Sequence, residues 1–201
     1  MNLNIFNPRH LILCLGCIFI SMSTNAQDSL PYYTIPNAPE EYTAGGVASR
    51  MIDGLGFRYY WATEGLTEEN LSYKPGETNR TIGETIDHIY GLSNVILNAA
   101  LKQPNERRDV SENPSGFEAI RKATLENIEK ASALMLASDS LEDHLAIFIG
   151  ESGTSEFPFW NMINGPIEDA VWHCGQVVSL RRAAGNPMAS GVSVFRGTKR
   201  N

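Results

Sequence analysis

Apolar residues at helical spacing are the feature that most restricts the fold of this chain. Four segments of about 20 residues carry apolar side chains three and four positions apart, the spacing of a buried helical face. The predicted helices span residues 44–64, 81–102 and 115–137, and the last runs from near Pro166, or a turn or two earlier, to Gly185. Four such helices predict an all-α, antiparallel four-helix bundle with a long crossover before the last helix.

Local signals mark the ends of these predicted helices. The Thr-x-x-Glu motif at 81–84 and the Ser-x-x-Glu motif at 115–118 match the capping box, which satisfies the free N–H groups of a first turn. Gly185, followed by proline two residues later, is a stop signal. The crossover at 139–163 is the least regular segment, and its HLAIFIGES stretch predicts either a short strand or an irregular connection.

Residues 1–26 predict a cleavable secretory signal. Arg9 supplies the basic start, residues 11–20 are apolar or small, and small residues lead up to cleavage after Ala26. The apolar run is shorter than the roughly 20 residues of a membrane span. We therefore expect an exported protein, periplasmic or secreted; a lipoprotein anchored at Cys17 is the less favoured alternative.

Removal of the signal leaves one domain. An extended arm at 27–42 precedes the helical domain at 43–188, and a tail follows at 189–201. The net charge changes from −7 to −8, because the signal holds one arginine and no acid. Such a surface repels nucleic acid and anionic membranes, so neither is an expected partner. Cys174 is left without a second cysteine, and the core must supply the stability.

Asp169 and His173 are the first candidate site residues. They lie four positions apart, so they share one face of the last helix, at the head of a stripe that otherwise faces the core. His88 lies on a similar stripe of the second helix. Buried polar groups need partners, and a cation can serve all three. Two imidazoles and one carboxylate would form an open three-ligand site, as in catalytic zinc or ferrous iron centres.

A simpler interpretation stays open at this point. Asp169 and His173 could hydrogen-bond only each other, and the spacing does not show that His88 meets them. Gln176, one turn beyond His173, is expected either to bond a group that surrounds the ligands or the metal-bound water, or to pack between helices. Cys174 points elsewhere on the helix and is expected to be a small buried hydrophobe. His144, in the crossover, could approach the site, but no pattern supports it.

Three motifs carry a resemblance to a known family. They are Leu71-Ser-Tyr-Lys-Pro75, Thr81-Ile-Gly-Glu-Thr-Ile-Asp-His88, and His173-Cys-Gly-Gln176 continuing into Leu180-Arg-Arg182 and Gly185-Asn-Pro187. With them the chain resembles the DinB-like superfamily of four-helix metalloproteins over roughly residues 43–188. In that family one histidine of the second helix and two of the fourth bind a divalent metal. His88 and His173 match two of these positions, and Asp169 stands at the third.

The resemblance implies a function. It predicts a divalent metal, with zinc favoured and nickel, iron or manganese as alternatives, held by His88, Asp169 and His173. It predicts a hydrolase or a thiol-dependent transferase that acts on a small organic substrate, with Gln176 assisting, and by analogy a homodimer. Hydrolysis ranks slightly higher, because low-molecular-weight thiols are mainly cytosolic. The alternatives are a non-catalytic metal-binding module, or a metal-free bundle that binds a ligand beside its aromatic residues.

Overall fold

The computed structural model describes residues 30–106, 111 and 113–200. The predicted signal, residues 1–26, lies outside the described residues. Most of the described chain is helical, as expected. The helices are Ala44–Thr63 (α1), Glu68–Leu71 (α2), Ile82–Ala100 (α3), Phe117–Leu136 (α4), Phe159–Met162 (α5) and Glu168–Ala183 (α6). Among these, no helix combines the length and the apolar character that a membrane crossing requires.

The four long helices form one core. Helix α1 packs against α4 and α6, and α3 packs against the same two helices. Their contact faces bury aliphatic side chains completely; examples are Ile52, Leu55, Ile89, Leu125, Ile128 and Val177. Each such side chain contributes roughly 1.5–3 kcal/mol by leaving water. This shared core fixes how far α3 and α6 lie from each other, and so positions the candidate site.

The chain is not purely helical, which corrects the all-α prediction. Strands Ala146–Gly150 (β1) and Gly153–Phe157 (β2) form an antiparallel hairpin in the crossover. The strand alternative for HLAIFIGES is therefore confirmed. A second antiparallel pair, Val192–Ser193 (β3) and Thr198–Lys199 (β4), lies in the C-terminal tail.

The two predicted capping boxes have different outcomes. At the start of α3, the Glu84 N–H donates to Thr81 Oγ1 at 3.0 Å and the Thr81 N–H donates to Glu84 Oε2 at 2.7 Å, so this box is confirmed. The box predicted at 115–118 is wrong, because α4 begins one residue later. Its N-cap is Gly116, with a φ of +87° that favours glycine and carries no side chain to cap with.

Helical structure before the last helix begins at Phe159, two turns ahead of Pro166 and within the expected range, and it is kinked at Gly165. Helix α5 continues through a π-helical turn, Ile163–Ile167, into α6. Gly165 leaves helical geometry at φ −98° and ψ −111°, and Pro166 lacks the N–H that a regular turn needs. Helix α6 therefore starts afresh with Asp169 in its first turn. It ends before Gly185, whose φ of +82° confirms the stop signal.

Candidate metal site

Helices α3 and α6 bring three potential ligands together. His88 Nε2 lies 3.3 Å from Asp169 Oδ2, and His173 Nε2 lies 3.3 Å from Asp169 Oδ1. The three ligand atoms lie within 4.8 Å of one another, so the group could hold a metal ion. The Asp169 carboxylate lies between the two imidazole rings, with Oδ2 facing His88 and Oδ1 facing His173.

The local structure explains this convergence. His88 is the seventh residue of α3, which the capping box at Thr81 starts in a fixed register. Asp169 is the second residue of α6, which begins directly after the π-helical turn, and His173 is one turn further along the same face of α6. The two imidazole rings meet edge to face, with centroids 4.6 Å apart and an interplanar angle of 89°. Helices α3 and α6 therefore hold the ligand atoms of the three side chains close to one another.

The site lies at the edge of the core. The side chains of His88, Asp169 and His173 are 33%, 37% and 13% exposed. The stripe that begins with them does not point wholly inward, because Gln176 is exposed while Val177, next to it, is buried. The triad is therefore open to solvent on one side, as a site that receives an external ligand must be.

Gln176 determines where His173 carries its proton. The Gln176 Oε1 lies 2.7 Å from His173 Nδ1. An amide oxygen only accepts, so Nδ1 carries the hydrogen and donates it. In the neutral ring, Nε2 then presents a lone pair, and this is the atom that faces Asp169.

Nε2 of His173 and Oδ1 of Asp169 are consequently two acceptors that face each other at 3.3 Å. They repel unless a proton or a metal ion lies between them. A charge-assisted N–H···O bond is about 2.7–2.9 Å long. Ligand atoms about 2.0–2.1 Å from a tetrahedral zinc ion are about 3.3 Å apart. Each histidine lies close to the second value from a different oxygen of Asp169, and one ligand atom from each residue lies within 4.8 Å of the others, so the group could hold a metal ion.

A cleft of about 580 Å³ adjoins the triad on the side of the α3 N-terminus. His173 and Gln176 line it, together with Arg80 from the loop before α3 and Trp172 from α6. The indole of Trp172 is 71% exposed. Sequence reasoning missed Arg80 and Trp172, although the position of a tryptophan between Asp169 and His173 was a signal for the second.

His144 serves the fold elsewhere. Its ring is 2% exposed. Nδ1 lies 3.1 Å from the carbonyl oxygen of Ala99 at the end of α3, and Nε2 lies 2.7 Å from Ser138 Oγ. Both nitrogens are therefore engaged, Nδ1 with the end of α3 and Nε2 with the segment just after α4, and His144 is not part of the triad.

Two further titratable groups flank the triad without joining it. Cys174 is 2% exposed, and burial raises the pKa of its thiol to about 12, which confirms a small buried hydrophobe rather than a nucleophile. Partial burial, and then the charge of Glu84, raise the pKa of Asp87. Its oxygens are not among the three clustered ligand atoms.

Comparison with protein-family models, with curated proteins and with solved structures gave no match. The DinB-like resemblance therefore stays a prediction that rests on the sequence motifs, and the site stands on its geometry.

Proposed function

We propose that this chain is a DinB-like metalloprotein, an antiparallel four-helix bundle with added hairpins. In this proposal His88, Asp169 and His173 hold one divalent metal ion. With this ion the protein acts as a metal-dependent hydrolase of a small organic substrate. Zinc is the favoured ion, because a donor set of two imidazoles and one carboxylate with an open position is typical of catalytic zinc; nickel, iron and manganese are the alternatives.

One observation carries the proposal: His173 Nε2 faces an Asp169 carboxylate oxygen at 3.3 Å while its Nδ1 faces the Gln176 amide oxygen at 2.7 Å. The Gln176 contact supports a proton on Nδ1. The competing state is a doubly protonated His173 that forms an ion pair with Asp169. Such a partly exposed pair would add about 0–1 kcal/mol of stability, which is a weak reason to assemble three polar side chains.

Each residue of the proposed metal site would have a distinct role. A bound metal supplies a Lewis acid that lowers the pKa of water or polarises a substrate oxygen. His88 and His173 offer neutral nitrogen ligands, and Asp169 lowers the net charge of the centre. Gln176 keeps the His173 ring in one tautomer and one orientation, as hydrogen-bond partners of metal-bound histidines do. The open side of the triad admits water and substrate.

A thiol-dependent transferase is the second reaction class, because the same centre would activate a thiolate. We rank it lower because the predicted signal directs the chain away from cytosolic thiols. A non-catalytic module is the remaining alternative. It would need the open side of the triad to be filled by protein, whereas His88 and Asp169 are each about one-third exposed.

Metal analysis of protein purified without an affinity tag tests the proposal. We expect close to one equivalent of a transition metal, directly or after reconstitution with zinc. Asp169→Asn should reduce metal content, and Glu168→Gln, a matched change at the exposed neighbouring acid, should not. Less than about a tenth of an equivalent after reconstitution would overturn the proposal.

A further inference from the structure

We propose that the cleft beside His173 is a binding subsite for the anionic end of an elongated organic acid. The acid's other end would lie at the triad. This inference rests on the proposed function, and it names the class of substrate that the site would accept.

The charge of the cleft is the first support. The whole chain carries 23 acidic residues and 16 lysine and arginine residues. Within the part of the chain that the structure describes, however, the cleft lining contains Arg80 and no aspartate or glutamate. Glu84, which attracts Arg80, accepts a hydrogen bond from the Thr81 N–H and lies outside the lining. A cationic recess in an acidic protein selects anions by attraction inside and repulsion around it.

The wall of the cleft is the second support. Trp172 leaves 71% of its surface in water, a costly position for the largest apolar side chain. It lines the cleft next to His173, and Leu180 adds further apolar surface. Asn79, Gln176 and Ser179 supply neutral hydrogen-bonding groups around this surface. A flat apolar body with a charged end matches this combination of surfaces.

The spacing of the ends sets the length of the ligand. Thr85 and Ser179 line the cleft, while His88 contacts Asp169 and His173, so the cleft extends from the triad toward the start of α3. From Ile82 to His88 the axis of α3 advances about 9 Å at 1.5 Å per residue. An acid that reaches from the start of α3 to the triad would therefore span about 9–10 Å, the length of an extended chain of about eight or nine heavy atoms. Arg80 would bind the carboxylate with its paired N–H groups.

Hydrocinnamate and its neutral amide test this inference. Binding of each is measured by the NMR shift of the Trp172 indole N–H and by calorimetry, with zinc-loaded and with chelator-treated protein. We expect the acid to bind about tenfold or more tightly than the amide, because only the acid forms the charge-assisted contact with Arg80. Arg80→Gln should remove this preference. Arg182→Gln, the same change at an exposed arginine outside the cleft, should preserve it.

The outcomes separate this inference from the proposed function. Equal binding of acid and amide, equal effects of the two arginine substitutions, or no shift of the Trp172 signal would each overturn the anion subsite, whatever the metal content. Preferential acid binding by protein that takes up no metal would support the subsite and overturn the metal-dependent function. Arg80→Gln should keep the metal content of the parent, which shows that its loss of binding is not a loss of the triad.

Discussion

Gln176 Oε1 accepts a hydrogen bond from His173 Nδ1 at 2.7 Å, three residues further along α6. The exposed amide thereby directs the unprotonated nitrogen of His173 toward Asp169. Nothing else among the described contacts of His173 selects this tautomer. Gln176 is therefore a positioning residue for the proposed metal centre, and its contribution is measurable apart from that of the ligands.

Gln176→Leu should weaken zinc binding by about 10–100-fold, because His173 loses the acceptor that orients it. Gln176→Glu should retain or tighten binding, since a carboxylate accepts the same hydrogen. Competition titration with a chromogenic zinc chelator measures both. Ser179→Ala, on the next exposed position of α6, is the control and should bind as the parent does. Parent-like affinity in Gln176→Leu would mean that the amide contact does not prepare the site.

The ligand substitutions test the convergence of the two helices. His173→Ala and His88→Ala should each remove most zinc affinity, because two donors rarely hold zinc tightly. Asp169→Asn should weaken it. Asp169→His should keep metal, because it creates the three-histidine set of the family that the chain resembles. Bound metal is counted by elemental analysis after gel filtration. Unchanged metal in His88→Ala would show that α3 does not contribute, and loss in Asp169→His would count against the resemblance.

The sequence was most informative where one local rule decides the structure. Hydrogen bonding within four residues sets the start of α3, and the lack of a Cβ permits the positive φ of Gly185 that ends the last helix. Both were predicted from the residues alone. The start of α4 was not, because serine and glycine both occur at N-cap positions, and the local sequence does not select between Ser115 and Gly116.

The site was predictable only in part for a related reason. Periodicity places Asp169 and His173 on one face, because both belong to one helix. That His88 meets them depends on how α3 and α6 are rotated in the core, which no local pattern specifies. The cleft was not foreseen, since Arg80 lies eight residues before His88 and joins the lining only through the packing of the loop against α6.

Tyr32 gives the fold a dependence on alkaline pH. Its hydroxyl donates to Asp53 Oδ1 at 3.0 Å, and its ring packs on Gly56, where a Cβ would approach within 2.5 Å. Burial, and then the Asp53 charge, raise the pKa of Tyr32 above its ordinary value of 10.0. The unfolded chain therefore ionises first. The stabilising contribution of Tyr32 is complete below about pH 10 and falls by up to about 1.4 kcal/mol per pH unit above it.

Tyr32→Phe should consequently cost stability at neutral pH but show a shallower alkaline decline than the parent. The cost of the lost hydrogen bond to the buried Asp53 carboxylate is about 1.5–3 kcal/mol. Urea unfolding at about pH 8 and about pH 11 measures the difference in slope. Tyr42→Phe, at a 98% exposed tyrosine, is the matched control and should follow the parent curve. Parallel curves for the parent and Tyr32→Phe would contradict a raised pKa at this residue.

Arg181 ties the last helix to the first. Its Nη1 donates to the carbonyl oxygens of Ala62 at 2.9 Å and Trp61 at 3.3 Å, and its Nε donates to the Asn186 carbonyl at 2.8 Å. Helix α1 has no basic residue in its own last turn, so α6 supplies the cation for that C-terminus. Burial lowers the pKa of the guanidinium, and the charge of Glu64 offsets part of this effect.

Arg181→Met should reduce the free energy of unfolding by about 3 kcal/mol, because it leaves buried carbonyl groups without donors. Arg182→Met removes the same charge from an exposed position of the same helix and should change stability by less than about 0.5 kcal/mol. Urea denaturation monitored by circular dichroism compares the two. Folded Arg181→Met should still take up metal, since the guanidinium does not contact the triad. If both variants are equally stable, water hydrates the carbonyl oxygens that Arg181→Met leaves without a donor. Arg181 would then contribute only as a basic residue in the last turn of α6.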